Sequence, residues 1–449
     1  MKQYDMLKDS PSKSLIFFAI PIILGNLFQQ FYNMTDSIIV GKFVGENALA
    51  SVGASYSLTT VFIMIAIGSG MGASVIISQY MGAKEYYKMK TSVYTALISF
   101  LVVSIILLIF GLLMKERLLS SLNTPENIFD DSVLYLKIYF VGLPFLFMYN
   151  VLSAVFNALG KSHIPLYLLI FSSVLNILLD LYFVIILNMG VAGVAIATVI
   201  AQGISAVSSF TILLRTIKSY NDLNEKEVEA FNISMLKKMI YIAIPSILQQ
   251  SIVSIGMLLV QSVVNSFGSS VLAGYSAGMR VESICIVPMI ATGNAISTFT
   301  AQNLGSGQID RVRKGYHVGY GIIISFAIII CIVISLFYYN IISSFVDPES
   351  GREAFRVGSS YLKFIGFFFA LIGFKSITDG VLRGSGDMGV FTLANLVNLG
   401  IRVFVAFRFA PIWGVQAVWY AVPMGWAANW LISLSRYLTG AWSKKSIIH

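Results

Sequence analysis

Apolar runs of roughly 20 residues recur from Leu15 to the last part of the chain, each long enough to cross a bilayer as a helix. Between them lie short segments rich in Gly, Pro, Asn and charge. Composition agrees with a membrane setting. Charged residues make up 11% of the sequence and hydrophobic ones 57%, against about 25% charged in a soluble chain. The breaks divide the sequence into twelve candidate spans, near 15–40, 51–79, 91–114, 133–158, 165–187, 191–214, 239–265, 271–301, 316–341, 358–381, 389–409 and 413–436. The polar start of the chain reads as preceding a retained first span rather than as a cleaved signal peptide.

The basic residues orient these spans. One alternate set of segments carries nineteen Lys and Arg, the other five, or eight with three at helix ends. The richer side is expected to be cytoplasmic, with both termini there. The net charge of +9 is then the asymmetry of a multi-pass plasma-membrane protein and requires no nucleic acid. Cys285 and Cys331 both fall in apolar runs and read as packed thiols. The scattered His163, His317 and His449 argue against a histidine metal site. No Walker A, HExxH or usefully placed GxSxG occurs, so ATP-driven pumping and the common hydrolytic chemistries are set aside and no enzyme is expected.

The two halves repeat. "AIPIIL" at 19–24 returns as "AIPSIL" at 243–248, "SQYMGAKEYYKMK" at 78–90 as "AQNLGSGQIDRVR" at 301–313, and "YLK" at 135–137 as "YLK" at 361–363. Six spans per half give both halves one membrane orientation, as in parallel-repeat secondary transporters. The expectation is an all-α membrane protein of two six-helix bundles around a central cleft. The N-terminal lobe would cover 1–214, a cytoplasmic linker 215–238 and the C-terminal lobe 239–449.

Asp36 is out of place in the first span. A carboxylate in hydrocarbon costs about 2.5–3.5 kcal/mol on insertion scales, and near a helix C-terminus the dipole opposes it. Gln29, Tyr32 or Asn33, and Asp36 recur at helical spacing and so share a face. In the fifth span Asn176 and Asp180 stand four apart. Should Asp180 meet Asp36, two carboxylates in a dry site cannot both ionise cheaply. Such a pair can carry a proton, or bind Na⁺ with amide and hydroxyl oxygens completing the shell. The second half has Val260, Arg402 and Ala406 at the positions of Asp36, Asn176 and Asp180, so a cation site is expected in the first half. The second half carries its own charges within spans: Arg280, Glu282, Lys375, Asp379 and Arg402. Lys375 and Asp379 are spaced to neutralise each other, and Glu282 to pair with Lys375 or Arg402 or to meet a cationic substrate. A bend in the first helix is expected at Pro21 or Gly25.

With the repeat, the "D…VG" ending of the first helix (Asp36, Val40, Gly41), the paired "Q…G" segments at Gln79–Gly82 and Gln302–Gly305, and the turns "NALGKS" at 157–162 and "LRGSGD" at 382–387, the chain resembles the multidrug and toxic compound extrusion (MATE) family nearly end to end. The resemblance implies export of small cationic amphipathic organic compounds by antiport with H⁺ or Na⁺, without a cofactor and as a monomer. It also implies cation binding at Asp36, Asn176 and Asp180, with Thr198 and Tyr32 beside them. Asn150 belongs by the same resemblance to that polar cluster, and Na⁺ would sit among Asp36, Asn176, Asp180 and Thr198. The seventh span lacks the acid of some Na⁺-coupled members, and Asp379 does not match their tenth-helix acid. A lipid-linked oligosaccharide flippase of the same superfamily is the alternative, kept open by Arg280, Lys375 and Arg402. A major-facilitator carrier would show a basic "GxxxDRxGRR"-type loop after the second helix, where this chain has "QYMGAKEYYKMK".

Overall fold

The structure is a computed structural model that describes residues 4–220 and 228–448. Among the described residues it is helical, and the elements follow the apolar runs. They are α1 Pro11–Ile39, α2 Glu46–Gly82, α3 Tyr86–Ser121, α4 Glu126–Ala158, α5 His163–Leu181, α6 Gly190–Lys218 and α7 Ile233–Asn265. The second half forms α8 Ser269–Cys285, α9 Val287–Gly305, α10 Ile309–Ser343, α11 Arg352–Gly366, α12 Phe369–Ser385, α13 Met388–Trp413 and α14 Gln416–Leu438. Ten helical segments among the described residues are long and apolar enough to cross a membrane. The pair α11 and α12, bent by 51°, makes an eleventh. The twelfth expected span is α14, less apolar because it buries Asn429 and Ser433.

Two expected single spans are each a pair of helices. The one near 271–301 breaks at Ile286, just before Pro288 at the start of α9, where the missing N–H costs nothing. The one near 358–381 breaks after Gly366. The linker is shorter than the sequence suggested, because α6 runs to Lys218 and α7 begins at Ile233; residues 221–227 of it lie outside the described residues.

The chain divides into two compact units. One is Leu24–Ile247; the other runs from Leu248 onward and includes the stretch ending at Ile23. The repeat boundaries at 214 and 239 therefore differ from the packing boundaries. α1 and α7 each change unit along their length, two residues after the repeated prolines Pro21 and Pro245. α1 stays one helix through Pro21.

Hydrogen bonds explain where these two helices begin. In the second unit the Met6 carbonyl accepts from Asn303 Nδ2 at 3.2 Å and Arg311 Nε at 3.0 Å, at the turn between α9 and α10. In the first unit Asn232 caps α7, its Oδ1 accepting from Ser234 N and Met235 N at 3.0 and 3.1 Å. Its own N–H donates to Thr95 Oγ1 of α3 at 3.0 Å, beside Glu229 N to Thr91 Oγ1 at 3.2 Å.

Inside each unit, glycines let backbones touch, the packing mode of helices that gain nothing by hiding apolar surface from lipid. In the second unit α9 and α12 meet this way. A Cβ on Gly380 would stand 2.4 Å from the Gly293 carbonyl oxygen, and one on Gly384 2.3 Å from that of Ser297. The outer faces are apolar and open, with Leu113 76% and Leu336 68% exposed, as lipid contact requires. Gly380→Ala and Gly384→Ala should each lower stability in detergent by about 1–3 kcal/mol through overpacking. Gly389→Ala, with nothing within 4 Å of its added methyl, should leave it unchanged or raise it slightly. Thermal unfolding of the three variants side by side checks this.

Candidate functional site

Within the first unit, α1, α5 and α6 bring one polar cluster together. Asp180 is fully buried and Asn176, one turn before it on α5, is 2% exposed. The Asp36 carboxyl from α1 lies within hydrogen-bonding reach of that of Asp180. Two carboxyls this close repel when both are ionised and share a hydrogen bond when a proton lies between them. Asn176 ties the cluster together when its amide is turned so that neither end faces its own kind. Its nitrogen then donates to Asp180 Oδ2 at 2.8 Å and to Tyr32 Oη at 3.3 Å, and its oxygen accepts from Thr198 N at 3.0 Å. Thr198 in turn donates to the Val194 carbonyl at 3.1 Å and meets the Tyr32 hydroxyl.

Two features keep this place dry. Both acid-bearing helices end in a π-helical turn, Val40–Val44 after α1 and Tyr182–Ile186 after α5. Such turns are rare and concentrate at functional sites. They deliver Val40 and Val184 into an apolar cluster with Ala48, Val191 and Val194, against which Val44, Val52 and Tyr135 pack. The low-dielectric wall strengthens every charge interaction beside it. No ion pair among the described residues involves Asp36 or Asp180. Asp36 Oδ1 and Asp180 Oδ1 are buried without a hydrogen-bond partner. Two orphaned carboxyl oxygens beside the Tyr32 and Thr198 hydroxyls form an oxygen donor set, suited to a proton or a hard monovalent cation.

The other sequence candidates sort differently. The first-helix face splits into two stripes: Tyr32 and Asp36 turn toward α5 and α6, whereas Gln29 Nε2 donates to Asn33 Oδ1 at 3.2 Å and Asn33 is exposed. Asn150 donates to the Leu146 carbonyl of its own helix at 2.8 Å rather than to the acids. Gly25 packs on Leu169 and Leu166 of α5. Arg280 was expected to be a buried charge and is exposed. It lies two residues from Glu282, which puts the two on opposite faces of α8.

Glu282 is 5% exposed and accepts the Tyr361 hydroxyl. Arg402 lies within electrostatic reach of it, while the expected Lys375 partner is taken by Asp379 at 2.9 Å. Sequence reasoning missed Tyr135, which faces both Asp36 and Asp180 from α4. Its signal was present in the repeated "YLK", because the matching Tyr361 faces Glu282 in the second unit.

A polytopic helical membrane protein of two units, one of which holds a close acid pair without a basic partner among the described residues, has the build of a membrane transporter. The sequence profile of the MatE family matches residues 21–182 and 245–407, and the chain belongs to that family. It is 29% identical to "Probable multidrug resistance protein YpnP" of Bacillus subtilis (strain 168) over 98% of both chains. It is 28% identical to "Probable multidrug resistance protein YoeA" of the same organism, over 98% of this chain and 96% of the relative. A crystal structure of MATE in complex with MaL6 superposes with a TM-score of 0.91 at 23% identity, covering 99% and 100% of the two chains.

The hydrogen bonding of the cluster makes a stability prediction. Asp180→Asn keeps the shape and removes one of two like charges, so detergent-solubilised protein should unfold at the same temperature or higher. Asn176→Leu strips partners from Asp180 Oδ2 and Thr198 N, and should cost about 1–3 kcal/mol. A thermal unfolding series in which Asp180→Asn is the more damaged variant would contradict this description of the site.

Proposed function

We propose that this protein is a secondary transporter exporting small cationic amphipathic organic compounds, with H⁺ or Na⁺ moving the other way through the Asp36–Asp180 pair. The observation that carries the reading is that pair: Asp180 fully buried and Asp36 half-buried, their carboxyls in mutual reach, without a basic partner among the described residues. Family membership supports transport rather than enzymatic chemistry, and the multidrug resistance relatives support organic compounds as cargo. The chain sits in the plasma membrane, with its termini on the Lys- and Arg-rich cytoplasmic side.

The mechanism follows from charge. With a proton or Na⁺ on the pair, the first unit holds its acids at low cost. Without it, two carboxylates repel across a dry site and the unit favours another packing. Asn176 and Thr198 hold Asp180 in place, and Tyr32 and Tyr135 offer hydroxyls to whichever species is bound. Cation and cargo are coupled when each biases the same two-state equilibrium, whether or not they share a site. Pro21 and Gly25 flank the point where α1 changes unit, between Ile23 and Leu24, and serve as the bend. The phosphate-carrying alternative loses support, since Lys375 is already paired and Arg280 is exposed.

In vesicles containing the purified protein, an imposed pH or Na⁺ gradient should drive efflux of a fluorescent organic cation. Asp36→Asn or Asp180→Asn should reduce gradient-driven efflux at least tenfold while leaving dye binding measurable. The gradient that works names the coupling ion. Efflux by the wild type under neither gradient, or undiminished coupling in both variants, would refute the reading.

A further inference from the structure

The second unit lacks the first unit's acid pair yet carries more buried charge. Lys375, Asp379 and Arg383 stand four residues apart along one face of α12, Asp387 follows its end at the start of α13, and all four are buried. Each is held. Arg383 Nε donates to Ser297 Oγ at 3.2 Å and its Nη2 to Asn294 Oδ1 at 2.7 Å. Asp387 Oδ2 pairs with Arg436 Nε at 2.5 Å.

The geometry around Lys375 is that of a liganded cation. Its Nζ lies 2.9 Å from Asp379 Oδ2 and 3.1 Å from Asn395 Oδ1 of α13. Asp379 Oδ1 accepts from Ser433 Oγ of α14 at 2.8 Å. Asn395 is steadied from α7 by Gln249 Nε2 at 3.5 Å and by its own Nδ2 donating to the Phe391 carbonyl at 2.8 Å. One turn before Ser433, Asn429 is fully buried, and neither end of its amide meets a partner. Two helices thus converge a carboxylate oxygen and an amide oxygen on one point, while α14 holds the carboxylate by its other oxygen. These are ligands suited to a hard monovalent cation, and the position is filled by an ammonium on a four-carbon stem.

We infer that Lys375 is the resident cation of a masked alkali-cation site formed by Asp379 and Asn395, with Ser433 positioning the carboxylate. The tether keeps the site permanently filled, so the second unit exchanges no ion and coupling is confined to the first. The confinement of coupling rests on the transport function proposed above, whereas ion binding in the second unit does not. Its physical basis is the asymmetry of buried ion pairs: removing one partner leaves the other charge uncompensated, and that loss outweighs the net stabilisation of the intact pair. Without the ammonium, Asp379, 3% exposed, must recruit a counter-ion from solution.

The test uses Lys375→Met, which keeps the apolar stem and removes the ammonium, in an Asp36→Asn background that silences the first unit. The full-length protein is unfolded thermally in detergent with NaCl or KCl, against choline chloride of equal strength. Radioactive Na⁺ binding is counted on the same preparations. Lys375→Met should bind one additional Na⁺ per chain and unfold at a temperature that climbs with alkali salt, as linkage requires. The parent should respond to neither salt more than to choline. Adding Asp379→Asn should abolish both responses.

Should Lys375→Met unfold in choline, refolding by NaCl or KCl reads the same property, and Lys375→Ala provides a second variant. No Na⁺ bound and no difference between alkali and choline salts would overturn the inference. So would a response that survives Asp379→Asn.

Discussion

An ionised carboxylate away from water needs a counter-charge, and the first unit supplies none to Asp36 or Asp180 among its described residues. Much of the surrounding structure answers to this deficit. Asn176 spends its amide on Asp180, Tyr32 and Thr198, and the π turns bring valines into an apolar cluster against which Tyr135 packs. Two oxygens are left open. On the function proposed above, a site so built gains most from a small exchangeable cation. The cost of leaving that cation out is what a carrier can convert into a change of conformation.

Duplication gave the two units one template, and their electrostatics have diverged. The first unit's acids have Val260 and Ala406 as counterparts, and Asn176 has Arg402. The tyrosines of the repeated "YLK" persist, each facing a carboxyl: Tyr135 beside Asp36 and Asp180, Tyr361 on Glu282. In the second unit every buried acid among the described residues has a cation of the protein within reach. Arg402 acts on Glu282, Lys375 pairs with Asp379 and Arg436 with Asp387. Among the described residues the first unit's acid pair thus lacks a cation of the protein, whereas the second unit's buried acids each have one.

Much of this was legible in the sequence because it depends on local periodicity. Apolar run length marked the helices, and four-residue spacing put Asn176 with Asp180 and Lys375 with Asp379. What failed depends on tertiary detail. Arg280 was expected to be buried because its neighbours are apolar, yet two residues along a helix from Glu282 means the opposite face. Asn33 and Asn150 lie close in sequence to site residues or polar spans, but both turn elsewhere. Tyr135 reaches the acids from a helix that carries no other sign of the site. α1 and α7 each change unit, and the segments before them are held by Met6 on Asn303 and Asn232 on Thr95, contacts that no repeat pattern encodes.

The central claim is that one cation held by Asp36 and Asp180 is exchanged for cargo. It is tested most directly by counting ions released when cargo binds. An organic cation is titrated into detergent-solubilised protein in weakly buffered solution, with free H⁺ and Na⁺ followed together. The account predicts release of about one H⁺ or one Na⁺ per chain in the wild type and none in Asp36→Asn. Saturable cargo binding that releases neither ion, or equal release from the variant, would contradict it.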